Sequence, residues 1–319
     1  MGRHSGQPDP NQSQTMLGIE WDRMSAEQKG FEFDESYDHP DSYARENFPK
    51  VYWKNGVSGW FSASYVEHLG ERIRLVGDPD EAPAVRVDLR ILAPAGAKLE
   101  VSNSFGDSVA ENYSGSLRLD GGSGLLSSTA GDGELELDNG SGQVVVSGHT
   151  GHVRADTGSG AVKITDCRCD IDADTGSGSV TVRNGKGSVR ADTGSGRVEV
   201  ENFAGPIQAD TGSGSVRGHG LTEVASIDAD TGSGGVTIEG DLSALRSVNI
   251  DTGSGSVSLR SAGQPSLELR VDTGSGGVDV DAPGATIREA DDVTVVRLKD
   301  GAHRGVIDTG SGSVDLSFR

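Results

Sequence analysis

The chain has 319 residues and a formal net charge of −21, and 48 of its residues are glycine. Hydrophobic residues make up 33% of the chain and aromatic residues 5%, which is too little bulk for one thick core and favours a thin core that is repeated. The acidic charge argues against binding nucleic acid or anionic membrane through the surface as a whole, and it favours cations or basic partners. No run of about 18 apolar residues is present, so we expect no transmembrane segment.

The first 84 residues differ in composition from the rest of the chain. Residues 1–14 are polar and are expected to be disordered. They lack the apolar stretch of a secretory signal, which leaves a cytoplasmic location and a longer precursor as alternatives. Residues 15–84 hold most of the large aromatic side chains, namely Trp21, Trp53, Trp60, Tyr37, Tyr43, Tyr52 and Tyr65.

The aromatic segment also carries signals for short elements. Ser25 to Gln28 has the pattern of a capping box and Gly30 that of a helix stop, which predicts one short helix. The alternation from Lys50 to Val76 predicts two or three strands. We interpret residues 15–84 as a cap on the end of the repeat domain that follows, with a carbohydrate- or peptide-binding surface as the alternative.

A pentapeptide repeat dominates residues 85–319. Weaker forms of the motif begin at Asp120 and Asp138, and the first five steps, from Asp120 to Asp210, are 18 residues each. The next three steps are 20, 21 and 21 residues and the last is 36, which we interpret as one register that has lost its motif near residues 290–295. The full motif Asp-Thr-Gly-Ser-Gly begins at Asp156, Asp174, Asp192, Asp210, Asp230, Asp251, Asp272 and Asp308.

Between the motifs the apolar residues have the period of two that strands require. Val180 and Val182 follow one Gly-Ser-Gly turn, and Val189 and Ala191 precede the next aspartate. Each unit is therefore two short strands and two turns, with Val and Ala facing inward. The pattern predicts an all-β fold: a parallel β-solenoid of about eleven rungs of 18–21 residues, with an N-terminal cap.

The repeated motif is first of all a turn. Its Asp can accept hydrogen bonds from amides two and three positions on, which forms an Asx turn, and its glycines supply unusual backbone angles. The threonines are then expected to stack as a ladder of hydroxyl groups: Thr157, Thr175, Thr193, Thr211, Thr231, Thr252, Thr273 and Thr309.

A column of aspartates repels itself, and this raises the hypothesis that Ca²⁺ bridges neighbouring carboxylates. The candidate ligands are Asp156, Asp174, Asp192, Asp210, Asp230, Asp251, Asp272 and Asp308. The motif does not match the nine-residue unit of calcium-binding β-rolls, so weak binding by the acidic surface is the alternative. No other cofactor is expected.

The motif also matches the active-site signature of pepsin-like aspartic proteases. Those enzymes need two carboxylates that share one proton in a cleft, whereas this chain repeats the motif along a rod, which argues against catalysis. Cys167 and Cys169 are two residues apart beside a predicted turn and are not expected to form a disulfide framework, and they are interpreted as small packing residues rather than metal ligands. His149, His152 and His219 are too scattered for a metal site.

Two features of the C-terminal region remain. A carbohydrate-cleaving β-helix is the enzymatic alternative, and residues 288–292, Arg-Glu-Ala-Asp-Asp, are the one place where acids break the repeat. The chain stops at Val314 to Arg319 without a capping segment, so we expect an open edge there and self-association of two rods through it.

The run VRVDLRILAPAGAKLEVSNSFGDSV from Val85 to Val109, followed by SGxVxV and ADTGSGxVxV units, resembles the bacterial adhesin-like family of β-strand repeat proteins, a domain of unknown function. The resemblance covers residues 85–319. It implies a parallel β-solenoid at the cell envelope or outside the cell, and no established enzymatic activity. We therefore expect a non-enzymatic structural or binding module whose partner is a surface glycan or protein.

Overall fold

The computed structural model describes residues 90–103, 106–290 and 293–319, with Arg90 and Ala290 described by their backbone alone, and the backbone of five short strands nearer the N-terminus. All of the described elements are strands. The first six are β1 (Met16–Gly18), β2 (Glu32–Phe33), β3 (Val51–Tyr52), β4 (Ser64–His68), β5 (Glu71–Val76) and β6 (Arg90–Leu92).

The N-terminal strands form two small antiparallel sheets. β2 to β5 pair in the order β2-β5-β4-β3, and β1 pairs with β6. Strands β3 to β5 confirm the strands predicted from Lys50 to Val76. The helix predicted at Ser25 to Gln28 and the three tryptophans lie outside the described residues. The assignment of residues 15–84 as a cap stays a prediction.

The repeat domain consists of two stacks of parallel strands, and each coil contributes one strand to each stack. Stack A begins with β7 (Ala97–Asn103), β9 (Ser114–Gly121), β11 (Asp132–Asn139), β13 (Thr150–Thr157), β15 (Arg168–Thr175), β17 (Val189–Thr193), β19 (Ile207–Thr211), β21 (Ser226–Thr231) and β23 (Ser247–Thr252). Stack B begins with β8 (Ser108–Glu111), β10 (Leu126–Thr129), β12 (Val144–Ser147), β14 (Val162–Thr165), β16 (Val180–Lys186), β18 (Val198–Ala204), β20 (Val216–Leu221), β22 (Val236–Gly240) and β24 (Val257–Ser261).

These strands make nine coils that stack in chain order, which confirms the predicted all-β parallel solenoid. Equivalent residues lie side by side in neighbouring coils; Ile171, for example, pairs with both Val153 and Val189. The predicted inward residues form the core, and Val153, Val180 and Val198 are 0% exposed. A single repeat has too few apolar residues to fold alone, so the core is continuous through the coils.

The glycine content has a steric origin at the Gly-Ser-Gly turns. A side chain on Gly196 would place its Cβ 1.6 Å from the carbonyl oxygen of Gly178 in the preceding coil. The corresponding distance from Gly194 to the carbonyl oxygen of Gly176 is 2.5 Å. Because real Cβ atoms do not approach so closely, adjacent turns stack at this spacing only when both positions are glycine.

The C-terminal strands leave chain order. They are β25 (Leu267–Asp272), β26 (Val278–Asp281), β27 (Thr286–Ala290), β28 (Val293–Leu298), β29 (His303–Thr309) and β30 (Val314–Phe318). β29 lies between β23 and β25 in stack A, and β30 lies between β24 and β26 in stack B. The last coil of the sequence is therefore inserted between two coils that precede it in the chain.

This arrangement corrects two expectations. The 36-residue step does not contain a coil that has lost its motif, because β27 and β28 form an antiparallel hairpin and β28 pairs antiparallel with β25. The segment from Val314 to Arg319 is not an open edge, because β30 is paired on both sides. In stack B the terminal strand is β26. No helix in the described residues is long and apolar enough to cross a membrane.

Candidate functional site

The motif aspartates form one continuous column along stack A. Asp174 pairs directly with Asp156 and Asp192, and the same register continues through Asp210, Asp230 and Asp251. Because the last coil is inserted, Asp308 lies between Asp251 and Asp272. All of these side chains are exposed or partly exposed. The sequence analysis therefore placed the column correctly but not the order of its last two members.

Two aspartates of this column have raised pKa values, and burial and like charges both contribute. Partial burial, and then the charges of Asp156 and Asp192, raise the pKa of Asp174. Partial burial, and then Asp192 and Asp230, raise the pKa of Asp210. Asp174 and Asp210 are thus harder to ionise than a free aspartate, because they are partly buried and have charged neighbours.

A second column, two residues before each aspartate, compensates part of this charge. It begins with alternating signs: Glu100, Arg118, Glu136, Arg154, Asp172 and Arg190. Arg118 lies 2.5 Å from the carboxylate of Glu136, and Arg154 lies 3.3 Å from that of Asp172. Such pairs between neighbouring strands offset repulsion within the sheet.

The compensation is interrupted in the middle of the rod and returns with Arg270, two residues before Asp272. The next residues in the second column are Gln208, Asp228 and Asn249, so the coils that carry Asp210, Asp230 and Asp251 have no arginine at this position. The aspartates of these coils therefore have no arginine of the second column beside them in their own coil. The identity of the residue two positions before each aspartate is a signal of this interruption in the sequence, and the register shows that these residues lie side by side.

The threonine, and not the aspartate, organises most of the turns. Thr193 is 1% exposed; its hydroxyl donates to the carbonyl oxygen of Gly178 in the preceding coil at 2.8 Å and accepts from the amide of Gly196 at 3.0 Å. Thr157, Thr175, Thr211 and Thr231 make the same two contacts.

The predicted Asx turn is therefore wrong as a general rule for the motif. In the described residues it has a counterpart at Asp272, whose carboxylate accepts from the amide of Gly274 at 3.3 Å. The predicted stacking of the threonines is confirmed, although each hydroxyl bonds a glycine backbone and not the next hydroxyl. A hydroxyl fits this buried position because it donates and accepts at once, which a carboxylate cannot do.

The predicted Ca²⁺ ligands remain a prediction. Among the described residues, no group of three or more His, Cys, Asp or Glu side chains is arranged to hold a metal ion. Of the acids considered for an enzymatic site, Glu289 lies in the β27–β28 hairpin opposite Thr294, and Asp291 and Asp292 lie outside the described residues.

The two cysteines form a feature that the sequence analysis missed. Cys167 and Cys169 are joined by a disulfide and are 1% and 3% exposed. They are packing residues, as predicted, but they are also bonded to each other. Their spacing of two residues is a weak signal, because it says nothing about which way the side chains point.

A buried histidine lies in the neighbouring coil. His149 is 1% exposed, its Nε2 lies 3.1 Å from the carbonyl oxygen of Gly133, and its Nδ1 lies 3.3 Å from the hydroxyl of Tyr113. Burial lowers the pKa of His149 and raises the pKa of Tyr113 to about 12. His149 is therefore held neutral by the core and is a structural residue, while His219 is exposed and contacts Glu239.

The stacked register of residues 111–259 can now be compared with known families. This span matches the family model described as Toastrack DUF4097. The match covers the coils from the end of β8 to β24, which is slightly less than half of the chain. The Toastrack model describes a domain of unknown function and its description names no adhesive or catalytic activity. No curated protein and no solved structure matches the chain.

Proposed function

We propose that this chain is a non-enzymatic, adhesin-like binding module that displays a rigid acidic β-solenoid at the cell envelope. The observation that supports this proposal is the unbroken register of the motif aspartates through β13, β15, β17, β19, β21 and β23. Its partner is a surface glycan or protein that makes many weak contacts with this face.

Display through repetition has a clear physical basis. Neighbouring parallel strands lie about 4.8 Å apart, so the exposed column offers the same group at a constant spacing. Linked weak contacts raise the overall affinity without a single strong site. A catalytic centre, in contrast, needs several different groups that converge once.

Deletion of whole coils tests this mechanism. Removal of residues 175–210 joins Asp174 to Thr211 and takes out two 18-residue repeats while the register is kept. Binding to immobilised polylysine, used as a basic multivalent probe, is measured by biolayer interferometry over a range of salt concentrations. We expect weaker binding and a smaller salt dependence than for the full rod, because fewer aspartates contact the probe.

Two results would count against display. One is equal affinity of the full and shortened rods, which indicates a discrete site outside the deleted coils. The other is a complete loss of binding by a shortened rod that is still folded by circular dichroism, which indicates a discrete site within them.

A Ca²⁺-stabilised rod is the second candidate. Partial burial and then the charges of the neighbouring aspartates raise the pKa values of Asp174 and Asp210. A cation would relieve the repulsion between these neighbours, which favours this candidate. Its test is calorimetric titration with Ca²⁺ and the melting temperature with and without the ion. The double variant Asp230→Asn, Asp251→Asn should then lose the heat of binding. Without heat or a melting shift in the wild type at millimolar Ca²⁺, this candidate fails.

A further inference from the structure

The end of stack B presents an open strand edge. β26 pairs with β30 on one side, and no described strand pairs with its other side. The carbonyl oxygen of Gly277 accepts from the amide of Val314, so this residue points towards β30. Because residues of a parallel strand alternate between its two neighbours, the backbone amide and carbonyl groups of Val278 and Val280 point to the open side.

Stack A extends beyond this edge. Past β25 it continues with β28 and β27, while stack B ends at β26. Ile287 in β27 pairs directly with Val296 in β28, so the two side chains lie on the same face of the sheet. Val296 is 0% exposed and Ile287 is 47% exposed, which shows that the core-facing side of the hairpin is uncovered at its last strand.

The outward side of the same edge is acidic. Asp279 and Asp281 are exposed on β26, and Asp315 lies beside Asp279 on β30. Arg319 lies 3.4 Å from Asp281, and Arg260 lies 3.7 Å from Asp315. Asp279 forms no ion pair with any described residue, so a strand added here meets an acidic rim outside and apolar side chains inside.

The acidic outward side and the apolar inward side of the β26 edge indicate which kind of strand can bind there. We infer that β26 accepts an extended peptide of a partner protein in which basic residues alternate with apolar residues, and that this peptide adds a strand to stack B. Its backbone pairs with Val278 and Val280, its basic side chains face Asp279 and Asp281, and its apolar side chains face the hairpin. A second β26 fits less well, because two such strands would place aspartates opposite aspartates.

Peptide binding tests this inference directly. The probe is a short fluorescent peptide of alternating Val and Lys, compared with its Val and Glu counterpart and with a Val and Lys version that is N-methylated at every residue, so that both of its edges are blocked. We expect binding of the first peptide alone, together with slower hydrogen exchange at Val278 and Val280. The N-methylated peptide keeps its charge but cannot pair with the edge, so it separates strand addition from attraction to the acidic rod.

Variants that change the charge of β26 provide a second test of peptide binding. Asp279→Lys should weaken binding of the Val and Lys peptide by about tenfold, since it places a like charge against the peptide. Glu134→Lys makes the same charge change at an exposed position on β11 and should leave the affinity unchanged. Both variants are first compared with the wild type by circular dichroism.

Several outcomes would overturn the inference. Equal binding of the methylated and unmethylated peptides, or equal affinity of the Asp279→Lys and Glu134→Lys variants, would show that the rod attracts the peptide only by its overall charge. Dimers that protect Val278 to Asp281 without peptide would show that a second copy is the occupant. Failure here leaves the display proposal intact, because that proposal depends on stack A.

Discussion

At the scale of the residue, the motif contains a buried threonine hydroxyl that bonds the turn and an aspartate carboxylate that is exposed to solvent. Thr193 satisfies two backbone groups of the turn, while Asp192 beside it faces solvent. Burial of an unpaired amide or carbonyl is costly, so the hydroxyl stabilises both the turn and its contact with the preceding coil. In these turns the threonine and not the aspartate bonds the backbone, so the exposed carboxylate is available for binding.

This division predicts the effect of changing Thr193. Thr193→Val keeps the shape of the side chain but leaves the carbonyl of Gly178 and the amide of Gly196 without this partner. We expect a loss of about 1–3 kcal/mol in the free energy of unfolding. Thr193→Ser, the matched control, keeps the hydroxyl and should lose less. Urea denaturation measures both; a valine variant as stable as the wild type would contradict the role of the hydroxyl.

His149 predicts a pH dependence of stability. In the unfolded chain the imidazole of His149 has a pKa of about 6.5, whereas burial lowers the pKa of His149 in the folded protein. Below pH 6.5 the unfolded state therefore binds more protons, and the contribution of His149 to stability is lost as the pH falls. Tyr113 and Asp132 face the same ring, and its neighbour His152 is exposed.

Thermal melts between about pH 7 and pH 5 check this expectation, with a slope for one proton of at most about 1.4 kcal/mol per pH unit. His149→Gln should flatten the dependence, because glutamine does not titrate. His152→Gln serves as the control at an exposed position. Identical pH profiles for His149→Gln and the wild type would show that His149 carries no such linkage.

At the scale of the element, one position between the two stacks, at the end of stack B or in the turn that follows it, packs large side chains against small ones. Tyr113, Gly131, His149, Cys167, Gly185 and Phe203 occupy this position in six consecutive coils. A Cβ on Gly131 would lie 2.4 Å from the ring of Tyr113, and one on Gly185 would lie 2.8 Å from the ring of Phe203. Glycine here makes room for the aromatic ring of an adjacent coil, which is the preceding coil for Gly131 and the next coil for Gly185.

The disulfide belongs to the same position and predicts a resistance to reduction. Cys167 and Cys169 are almost fully buried, so a thiol reagent cannot reach them in the folded rod. We expect the bond to survive dithiothreitol under native conditions and to be reduced in denaturant. Alkylation followed by mass spectrometry measures the free thiols; equal reduction rates in native buffer and in denaturant would contradict the prediction.

At the scale of the whole molecule, the C-terminal coil acts as an insert. β29 and β30 contact the ninth coil on one side and β25 and β26 on the other, so the coil that precedes them in sequence depends on them for its contact with the rod. The coil of β25 and β26 can therefore join the rod only after β29 and β30 are present. Coils nearer the N-terminus need only their own neighbours.

Truncation after Ala302 tests this dependence. The shortened chain lacks β29 and β30, and we expect β25 to β28 to lose hydrogen-exchange protection while β11 to β20 keep theirs. Ser317→Ala, a conservative change within β30, should leave both regions protected. Retained protection in β25 to β28 of the truncated chain would mean that they stack directly on β23 and β24.

Much of this fold was predictable because its determinants are local in sequence. The alternation of Val189 and Ala191 and the 18-residue spacing of Asp174, Asp192 and Asp210 determine which residues face inward and which positions align. A repeat too small to fold alone must stack, and equal lengths permit one register. The aspartate column, its exposure and the Toastrack-like coils all follow from this local pattern.

Tertiary structure decided what repetition leaves open. Asp308 and Asp272 begin the same motif. Spacing therefore could not show that the coil of Asp308 lies between the coils of Asp251 and Asp272. It also could not show that Thr193 rather than Asp192 bonds the turn, or that Cys167 and Cys169 face each other. Near-identical repeats offer similar local energies in either order, and the difference lies in contacts between distant segments such as β25 with β28.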